Sequence, residues 1–449
     1  MKRESWAIDQ LLPWTQLNNV ELNGIAIAEG VHGSGIFATR DFLDEEQILM
    51  TVPQQLVLSL ENVWTARGAI LIILLLQLTH NTTNGTVGVA NPFCQYLKFL
   101  PREIPLPTFW SEDERALLVG TSLEAALEAK LKTLDREFDF LRENTTDIEW
   151  CKQHWWSAGS ELSIDDWRYV DAAYRSRALD LPGTGHATVP CIDMANHAAG
   201  EETSAVYETD SNGNAILVLR AGKRVKAGDE VTITYGDEKG ACEMIFSYGF
   251  LEEDRALAKE LFLDLDIPDD DPLRMAKKAA SKSPPGFRLF ARDETVEWES
   301  DFVWLLCINE EDGLDFQLRQ TSEGETQICV CWKEREVPDL TKFRDLLEKD
   351  SRWDVFRLRA ITTLQSRVEA QLVRLNRSDE DVRKIQEYGD IRADPEASAV
   401  ELRDLEETLM LTAYQSFEIS KHELFGSDAV QAYLRRVQSR EADDGDDFS

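Results

Sequence analysis

The spacing of hydrophobic and polar residues divides the chain into alternating strand-like and helix-like parts. Between residues 20 and 60, short apolar runs are interrupted by Gly, Asp and Pro, which is the pattern of short strands joined by turns. Strands are predicted over Glu21–Glu29, His32–Ile36 and Gln47–Val52.

Residues 60 to 180 have a helical pattern. The segment Thr121–Leu141 is rich in Ala, Leu, Glu and Lys, and its leucines fall on one face. Ser163 has the position of an N-cap for a helix that runs to about Ala178. The apolar run Ala69–Leu78 is about half as long as a membrane span, so a buried helix is expected there.

A strand pattern returns later in the chain. Ala215–Arg220 is apolar and Glu230–Tyr235 alternates with a period of two, so both are predicted strands. Asp264–Ser283 is acidic, then carries Lys and ends at two prolines, which predicts a linker. Beyond about residue 290 the pattern is helical. Its apolar stripes contain Ile361, Leu364, Val368, Leu372 and Leu375, and then Leu402, Leu405 and Leu409.

These elements predict an α+β protein of two domains. Residues 1–265 would form a β core of small sheets with a helical insertion at about 60–180. Residues 285–435 would form an all-α domain. The acidic residues 436–449 are expected to be a disordered tail.

Composition limits the partners that are expected. The 449 residues include 48 Lys and Arg against 83 Asp and Glu, a net charge of −35. Such a surface repels nucleic acids and anionic membranes and attracts basic proteins, although acidity is also a common means of staying soluble. The seven cysteines form no CxxC pair, and the first residues lack the apolar core of a secretory signal. A reduced, intracellular protein is therefore expected.

The segment Val189–His197, VPCIDMANH, concentrates candidate chemistry. Asp193 and His197 could share a helix face and bind a metal, yet the other histidines are scattered and no second cluster completes a coordination sphere. There is no GxSxG motif, and Cys191 lies in an apolar context without an activating neighbour. Neither a metal site nor a nucleophilic triad is expected.

A glycine-rich turn, GVHGSGI, covers Gly30–Ile36. Glycines permit a close approach of the backbone to a ligand. The residues that follow supply neither a P-loop Lys-Ser/Thr nor GxGxxG spacing. Alone, this turn is equally consistent with a tight β-hairpin.

Together and in order, these motifs resemble those of SET-domain protein methyltransferases, specifically the Rubisco large-subunit methyltransferase subfamily. The motifs are GSGIFATRD from Gly33, YRSRA up to Ala178, VPCIDMANH, GDEVTITYG up to Gly236 and FSYGF up to Phe250. The subfamily includes actin-histidine and fungal ribosomal-protein and elongation-factor methyltransferases. The resemblance covers about residues 20–435. It implies a SET-domain β core of small sheets, a large helical insertion and an all-α substrate-binding domain.

The resemblance also implies S-adenosylmethionine as the cofactor. His32, Gly33, Ser34 and Gly35 would contact it, with backbone groups of the Gly-Ser-Gly turn facing the methionine end. Arg177 would pair with the cofactor carboxylate, although a cation at the end of a helix is also favoured by the helix dipole alone.

The later motifs supply the remaining implied cofactor residues. Asn196 carries a donor and an acceptor, which suits a ligand with an ammonium and a carboxylate. His197 would face the adenine through its backbone and would not act as a base. Asp193 would lie near the cofactor and substrate pocket, or it caps the turn. Tyr248 and Phe250 would line the substrate channel or the adenine, or else pack in the core.

Tyr235 matches the catalytic tyrosine of the family. Methyl transfer from a sulfonium needs a neutral amine, and a free Lys has a pKa of about 10.4. A sulfonium in an apolar channel disfavours the charged amine, so deprotonation would precede attack. The phenol would then aim the nitrogen lone pair. A buried structural tyrosine is the alternative.

Two departures from the family pattern bear on the acceptor. Relatives often carry Asn ahead of the Glu before Tyr-Gly-Phe, where this chain has Ala241, Cys242 and Glu243. In the histidine-methylating relative an Asn lies two residues after the Arg that matches Arg177, and this position is Leu179 here. An imidazole would lose its orienting partner, so lysine is the expected acceptor.

The expected function is protein-lysine N-methylation with S-adenosylmethionine, on a non-histone protein such as a ribosomal protein or an elongation factor. The substrate is expected to be basic because the surface is acidic. The enzyme is expected to be a monomer of the cytoplasm, the nucleus or both, without a metal and without a direct nucleic-acid or membrane partner. Two alternatives stay open: a non-catalytic SET scaffold that recruits a basic partner, and a histidine methyltransferase.

Overall fold

The chain folds into two units, seen in a computed structural model that describes residues 5–43, 46–59, 68, 71–76, 92–157, 162–252, 255, 257–292, 295–320 and 326–446. Unit 1 comprises Met1–Ser111, Ala126–Lys239 and Glu243–Glu252. Unit 2 comprises Glu112–Ala125, Gly240–Cys242 and Glu253–Ser449. Unit 2 therefore starts before the predicted boundary at residue 265 and includes part of the predicted insertion.

The strands of unit 1 are short and antiparallel, as the frequent turn residues predict. They are β1 (Glu21–Leu22), β2 (Ile25–Gly30), β3 (Gly33–Ala38), β4 (Phe42–Leu43), β5 (Ile48–Val52), β6 (Leu58–Ser59), β7 (Ala178–Leu181), β8 (Gly185–Thr188), β9 (Ala205–Thr209), β10 (Ala215–Leu219) and β11 (Arg224–Val225). The sheets have the orders β1-β5-β10-β9, β2-β3, β6-β8-β7 and β11-β4. The strands predicted between residues 20 and 60 and at 215–220 are confirmed.

The predicted strand over Glu230–Tyr235 is not part of a continuous ladder, and in this respect the prediction is wrong. Its alternation is real, because Val231 and Ile233 are buried. However, the segment changes its partner along its length. Its start bridges to Phe37 of β3, and Ile233 bridges in parallel to His197. An extended segment therefore joins the β2–β3 hairpin to the VPCIDMANH segment.

The helices begin and end close to their predicted positions where the pattern is long. They are α1 (Leu11–Leu17), α2 (residues 71–76), α3 (Pro92–Tyr96), α4 (Glu112–Ala116), α5 (Ser122–Thr145), α6 (Glu149–His154), α7 (Ile164–Arg177), α8 (Ala241–Tyr248), α9 (Arg274–Ala280), α10 (Phe302–Cys307), α11 (Phe343–Leu347), α12 (Trp353–Tyr388), α13 (Ala393–Phe425) and α14 (Asp428–Asp446). Ser163 caps α7 through a reciprocal capping box with Asp166. Within the predicted buried run Ala69–Leu78, the ends lie outside the described residues.

Unit 2 contains strands, so the prediction of an all-α domain is wrong. The strands are β12 (Glu260–Asp264), β13 (Gly286–Arg292), β14 (Thr295–Glu299), β15 (Leu314–Gln320), β16 (Thr326–Trp332) and β17 (Arg335–Val337), in sheets β12-β13-β14 and β15-β16-β17. The alternating pattern that would predict these strands is short. In β12, for example, only Leu261 and Leu263 are buried. The linker predicted over Asp264–Ser283 is also wrong. It contains α9, whose buried Lys277 is paired with Asp271 at 2.6 Å, so its charge does not indicate exposure.

The long helices α12 and α13 form the end of unit 2. All eight apolar residues predicted on their stripes are buried, which confirms the helical pattern. Helix α14 continues through residues 436–446, so the prediction of a disordered tail is wrong for these residues. Glu, Ala, Arg and Gln in this segment are good helix formers. Across the described residues, no helix combines the length and the hydrophobicity needed to cross a membrane.

Candidate active site

Four aromatic side chains from separate parts of the sequence meet in unit 1. His197 ends VPCIDMANH, Tyr235 ends the extended segment, and Tyr248 and Phe250 lie at and just after the end of α8. The ring centroids of Tyr235 and Tyr248 are 4.5 Å apart, and those of His197 and Tyr235 are 5.1 Å apart. Phe250 lies 6.0 Å, 6.3 Å and 6.5 Å from the other three rings. The structure thus brings these four predicted site residues together.

Both ring nitrogens of His197 are engaged. Nδ1 accepts a hydrogen bond from the backbone N–H of Tyr235 at 3.0 Å, and Nε2 lies 2.9 Å from Glu252 Oε1. Because Nδ1 accepts, the ring proton is on Nε2, which donates to the Glu252 carboxylate. The side chain of His197 therefore fixes the backbone of Tyr235. That His197 faces the adenine through its backbone and does not act as a base stays a prediction. Glu252 was not predicted from the sequence.

The phenol of Tyr235 is also fixed. Its O–H donates to the backbone carbonyl of Ala195 at 2.9 Å. Burial raises the pKa of Tyr235 to about 12, so the side chain is a neutral phenol at physiological pH. The Tyr248 hydroxyl lies 3.4 Å from the Tyr235 carbonyl oxygen, and burial raises the pKa of Tyr248 to about 12 as well. Neither tyrosine can act as a base near neutral pH.

Asn196 contacts the β2–β3 hairpin. Its amide Nδ2 donates to Glu230 Oε1 at 2.7 Å, and the carbonyl oxygen of Ser34 lies 3.4 Å away. Gly35 is buried beside this contact. The predicted Gly-Ser-Gly turn and the predicted Asn196 are therefore neighbours, and they are joined by Glu230, which was not predicted.

The tip of the hairpin is open. Gly33 has a φ of +90°, which L side chains rarely adopt, and beyond its two chain neighbours no described atom lies within 4 Å of the position that its Cβ would take. His32 is exposed in the same turn, and among the described residues no contact joins it to the other predicted site residues. A cofactor role for His32 stays a prediction.

Arg177, Asp193 and Tyr96 form a third group. Arg177 Nη1 donates to the Asp193 carbonyl oxygen at 2.9 Å and lies 3.7 Å from Asp193 Oδ2. The Tyr96 hydroxyl donates to Asp193 Oδ1 and accepts from the backbone N–H of Cys191 at 2.8 Å. Burial raises the pKa of Asp193 even though Arg177 opposes the shift. Cys191 has a φ of +73°, a strained conformation that Tyr96 helps to hold.

A pocket with mostly apolar walls adjoins this group. It is lined by Leu74, Phe93, Tyr96, Leu97, Leu100, Ala173, Arg177, Thr188, Pro190 and Asp193. Two buried polar atoms of the lining, Arg177 Nε and Thr188 Oγ1, have no hydrogen-bond partner among the described residues. Such atoms cost free energy unless a ligand or water satisfies them. The pocket therefore offers two polar atoms that a ligand or a water molecule would satisfy.

The residues that the sequence analysis missed are Glu230, Glu252 and Tyr96. Each acts by holding a predicted residue. Glu230 lies inside the GDEVTITYG motif, but its contact with Asn196 is not visible in the motif, and Tyr96 comes from α3, about a hundred residues before Asp193. Within the described ranges, no group of three or more His, Cys, Asp or Glu could hold a metal ion. The site thus consists of aromatic walls, neutral phenols and a few unsatisfied polar atoms.

Comparisons with known proteins show what this chain is similar to. Residues 33–236 match the family described as SET domain. SET domain-containing protein 8 of Schizosaccharomyces pombe is 30% identical over 292 residues, 63% of each chain. A chloroplastic [fructose-bisphosphate aldolase]-lysine N-methyltransferase of Arabidopsis thaliana is 25% identical over 56% of this chain and 53% of its own. An actin-histidine N-methyltransferase of Xenopus tropicalis is 22% identical over 69% of this chain and 55% of its own.

Solved structures show the same fold. The SET domain of LSMT bound to lysine and AdoHcy aligns with a TM-score of 0.66 at 19% identity, over 93% of this chain and 92% of that one. Residues 33–236 therefore match a SET domain, and the chain has the fold of LSMT, as the resemblance implied. The predicted cofactor agrees with these solved relatives, which hold AdoHcy or AdoMet. The matches to the three curated relatives span 53–63% of their lengths.

Proposed function

We propose that this protein is an S-adenosylmethionine-dependent protein-lysine N-methyltransferase that acts on a non-histone protein, such as a ribosomal protein or an elongation factor. The observation that carries the proposal is the environment of Tyr235. Its phenol is neutral, its O–H is committed to the Ala195 carbonyl, and its ring stands in the aromatic cluster. Such a phenol is suited to orienting a nucleophile and unsuited to removing a proton.

The residues present suit the proposed cofactor. Asn196 offers an amide oxygen that accepts no hydrogen bond among the described residues, and Arg177 has an unsatisfied buried Nε. The hairpin tip at Gly33 is open. These groups would hold the methionine end of the cofactor, which consists of its ammonium, its carboxylate and the part that faces the backbone of the hairpin. When bound, the cofactor supplies a methyl group on a sulfonium.

The chain's own residues would prepare the acceptor. Removal from water beside the positive charge of a sulfonium would disfavour the charged form of an entering lysine, so the amine would enter after its proton has been lost to solvent. Since the Tyr235 O–H donates to Ala195, the lone pairs of the phenol oxygen remain available to accept from an amine N–H. Fixing the amine in one direction reduces the entropic part of the barrier.

Lysine is the acceptor that Leu179 favours. This side chain is buried in β7, and Leu179 pairs with Ala187 of β8. An apolar side chain at this position offers no hydrogen bond to an imidazole, whereas an alkyl amine needs none there. A histidine acceptor is the second candidate, because one of the relatives is an actin-histidine N-methyltransferase.

Labelling of a proteome with isotopic cofactor, followed by mass spectrometry of the modified peptide, tests the proposal. We expect methyl-lysine in a basic protein. Tyr235→Phe should lower kcat about 100-fold or more, because an orienting hydrogen bond is lost. Its affinity for S-adenosylhomocysteine, measured by calorimetry, should stay within about threefold of the unchanged protein, since the phenol O–H is committed to Ala195.

Tyr388→Phe is the matched control, because Tyr388 is exposed on α12. Methyl-histidine as the product would contradict the lysine assignment. Full activity of Tyr235→Phe would contradict the mechanism. If the unchanged chain does not bind S-adenosylhomocysteine, the non-catalytic scaffold is favoured instead.

A further inference from the structure

The side-chain amide of Asn196 has a defined orientation. Its Nδ2 lies between two acceptors, Glu230 Oε1 at 2.7 Å and the Ser34 carbonyl oxygen at 3.4 Å. Only the NH2 end of an amide can face two acceptors, so the assignment of nitrogen and oxygen follows from the contacts. In the described part of the chain, Asn196 Oδ1 accepts no hydrogen bond. The amide therefore presents an acceptor, and its donor end is used.

Gly35 makes room for the Glu230 carboxylate. A Cβ at Gly35 would lie 2.2 Å from Glu230 Oε1 and 3.1 Å from Asn196 Nδ2, and the first distance is too short for any real contact. Gly35 does not have a positive φ, so its backbone does not require glycine. Gly33 differs, because it has a φ of +90° and free space around its Cβ position. One glycine of the motif is needed for conformation and the other for space.

The backbone on both sides of Glu230 is fixed to β3. Val231 N donates to the Ile36 carbonyl at 2.7 Å, and Ala38 N donates to the Asp229 carbonyl at 2.9 Å. The backbone of Glu230 is therefore held against the hairpin by main-chain hydrogen bonds, and its carboxylate accepts from Asn196 Nδ2. A side chain anchored in this way can fix the orientation of its neighbour.

We propose that Glu230 is a positioning residue that holds the Asn196 amide with its oxygen free for the α-ammonium of S-adenosylmethionine. An ammonium has three donors and no acceptor, so it matches an amide oxygen and is favoured by a nearby carboxylate. The inference rests on the proposed function only for the identity of the cofactor. It does not depend on whether the acceptor is lysine or histidine.

Calorimetry on the full chain with two ligands tests the inference. One ligand is S-adenosylhomocysteine, and the other is 5′-methylthioadenosine, which lacks the amino-acid part. Glu230→Ala should weaken the binding of S-adenosylhomocysteine about tenfold, because the Asn196 amide is free to rotate. The binding of 5′-methylthioadenosine should change less than about twofold. Glu230→Gln keeps an acceptor for Asn196 Nδ2, so its loss should stay within about threefold.

A double mutant separates the role of Gly35 from general damage. Gly35→Ala alone should weaken S-adenosylhomocysteine about tenfold, because the added Cβ displaces the Glu230 carboxylate. In a Glu230→Ala background, Gly35→Ala should weaken the binding of S-adenosylhomocysteine by less than about a further threefold, because the carboxylate that the added Cβ would displace is absent. Fully additive losses would overturn the inference.

Asp229→Ala is the matched control. Asp229 is the exposed neighbour of Glu230, and its carboxylate contacts the backbone N–H of Lys226. Asp229→Ala removes a carboxylate, as Glu230→Ala does, but one that does not contact Asn196, so the affinity for the cofactor should not change. If Glu230→Ala binds S-adenosylhomocysteine as tightly as the unchanged chain, or if both ligands weaken equally, the inference is wrong. If the unchanged chain binds neither ligand, the proposed function fails as well.

Discussion

Two side-chain amides, Gln371 in unit 2 and Asn196 in unit 1, are used in different ways. Gln371 is buried; its Nε2 donates to the Gly120 carbonyl, and its Oε1 accepts from Arg367 at 2.8 Å. Asn196 uses only its NH2 end within the described residues. A buried amide with both ends satisfied holds structure together, whereas one with a free acceptor can bind a ligand.

The same contrast extends to charged groups. Around Gln371, the side chain of Glu406 accepts from both the backbone N–H and the hydroxyl of Ser122. The two terminal nitrogens of Arg403 donate to oxygen atoms of unit 2: the carbonyls of Leu117, Val119 and Leu375, Ser378 Oγ and Asp379 Oδ1. In unit 1, by contrast, Arg177 and Thr188 keep unsatisfied atoms at a pocket. The Gln371 network and the pocket thus differ in how far their polar atoms are satisfied.

The largest effect is expected at Arg403. Arg403→Ala would leave several buried carbonyls without a donor, so we expect the free energy of unfolding to fall by about 3–5 kcal/mol. Denaturant unfolding measures this change. The affinity for S-adenosylhomocysteine, measured under native conditions, should not change if the network of unit 2 is purely structural.

The exposed ion pair between Arg374 and Glu124 serves as the control for this variant. Arg374→Ala should cost less than about 1 kcal/mol, as is usual for surface pairs. A loss of cofactor affinity in Arg403→Ala would break the comparison between the two regions.

The next effect is a pH dependence set by Glu406. Burial raises the pKa of Glu406 from 4.5 to about 7. Between these values the folded state binds more protons than the unfolded state, so the contribution to stability is complete below pH 4.5 and is lost as the pH rises through about 7. This difference in pKa corresponds to a contribution of up to about 3 kcal/mol to the free energy of unfolding.

Unfolding of the unchanged chain and of Glu406→Gln between pH 4.5 and 8 measures this contribution. The stability of the unchanged chain relative to Glu406→Gln should fall as the pH rises, because the amide does not titrate. Glu401→Gln is the control, since Glu401 is exposed on the same helix. A difference between Glu406→Gln and the unchanged chain that is constant with pH would show that Glu406 does not titrate in this range.

The smallest effect is expected at His197, which bridges Tyr235 and Glu252. His197→Ala removes the acceptor for the Tyr235 backbone N–H, and we expect kcat to fall about tenfold with a KM for the cofactor that changes little. His197→Asn keeps an acceptor close to the position of Nδ1 and should recover most of the rate. If the kcat of His197→Asn is as low as that of His197→Ala, the contribution of His197 is not its hydrogen bond to Tyr235.

The sequence predicted the residues of the site better than the contacts that hold them. Asn196, His197, Tyr235 and Tyr248 could be found because each belongs to a recognisable motif. Glu230 lies in one of the same motifs, yet its role depends on a contact with Asn196, 34 residues earlier, that no local pattern contains. The purpose of Gly35 could not be inferred either, because the atom that it makes room for comes from the same distant segment.

The fold shows the same limit. Long helices such as α12 and α13 were predicted because many turns repeat one apolar stripe. The sheets of unit 2 were missed because each strand offers only two or three alternations, and a buried pair such as Lys277 and Asp271 reads as exposed charge. The segment Glu230–Tyr235 was given the right periodicity but the wrong pairing, since one strand pattern can serve two partners in turn.

Cys191 has a consequence for variation within the family. Its φ of +73° with a ψ of −41° costs little for glycine, more for any residue with a Cβ and most for a β-branched side chain. The position is fully buried and its N–H is held by Tyr96, so a larger residue cannot relax by moving outward. In natural relatives that keep this turn, we therefore expect small, unbranched residues at the position. Val or Ile at this position would indicate relatives in which the backbone before Asp193 has a different conformation.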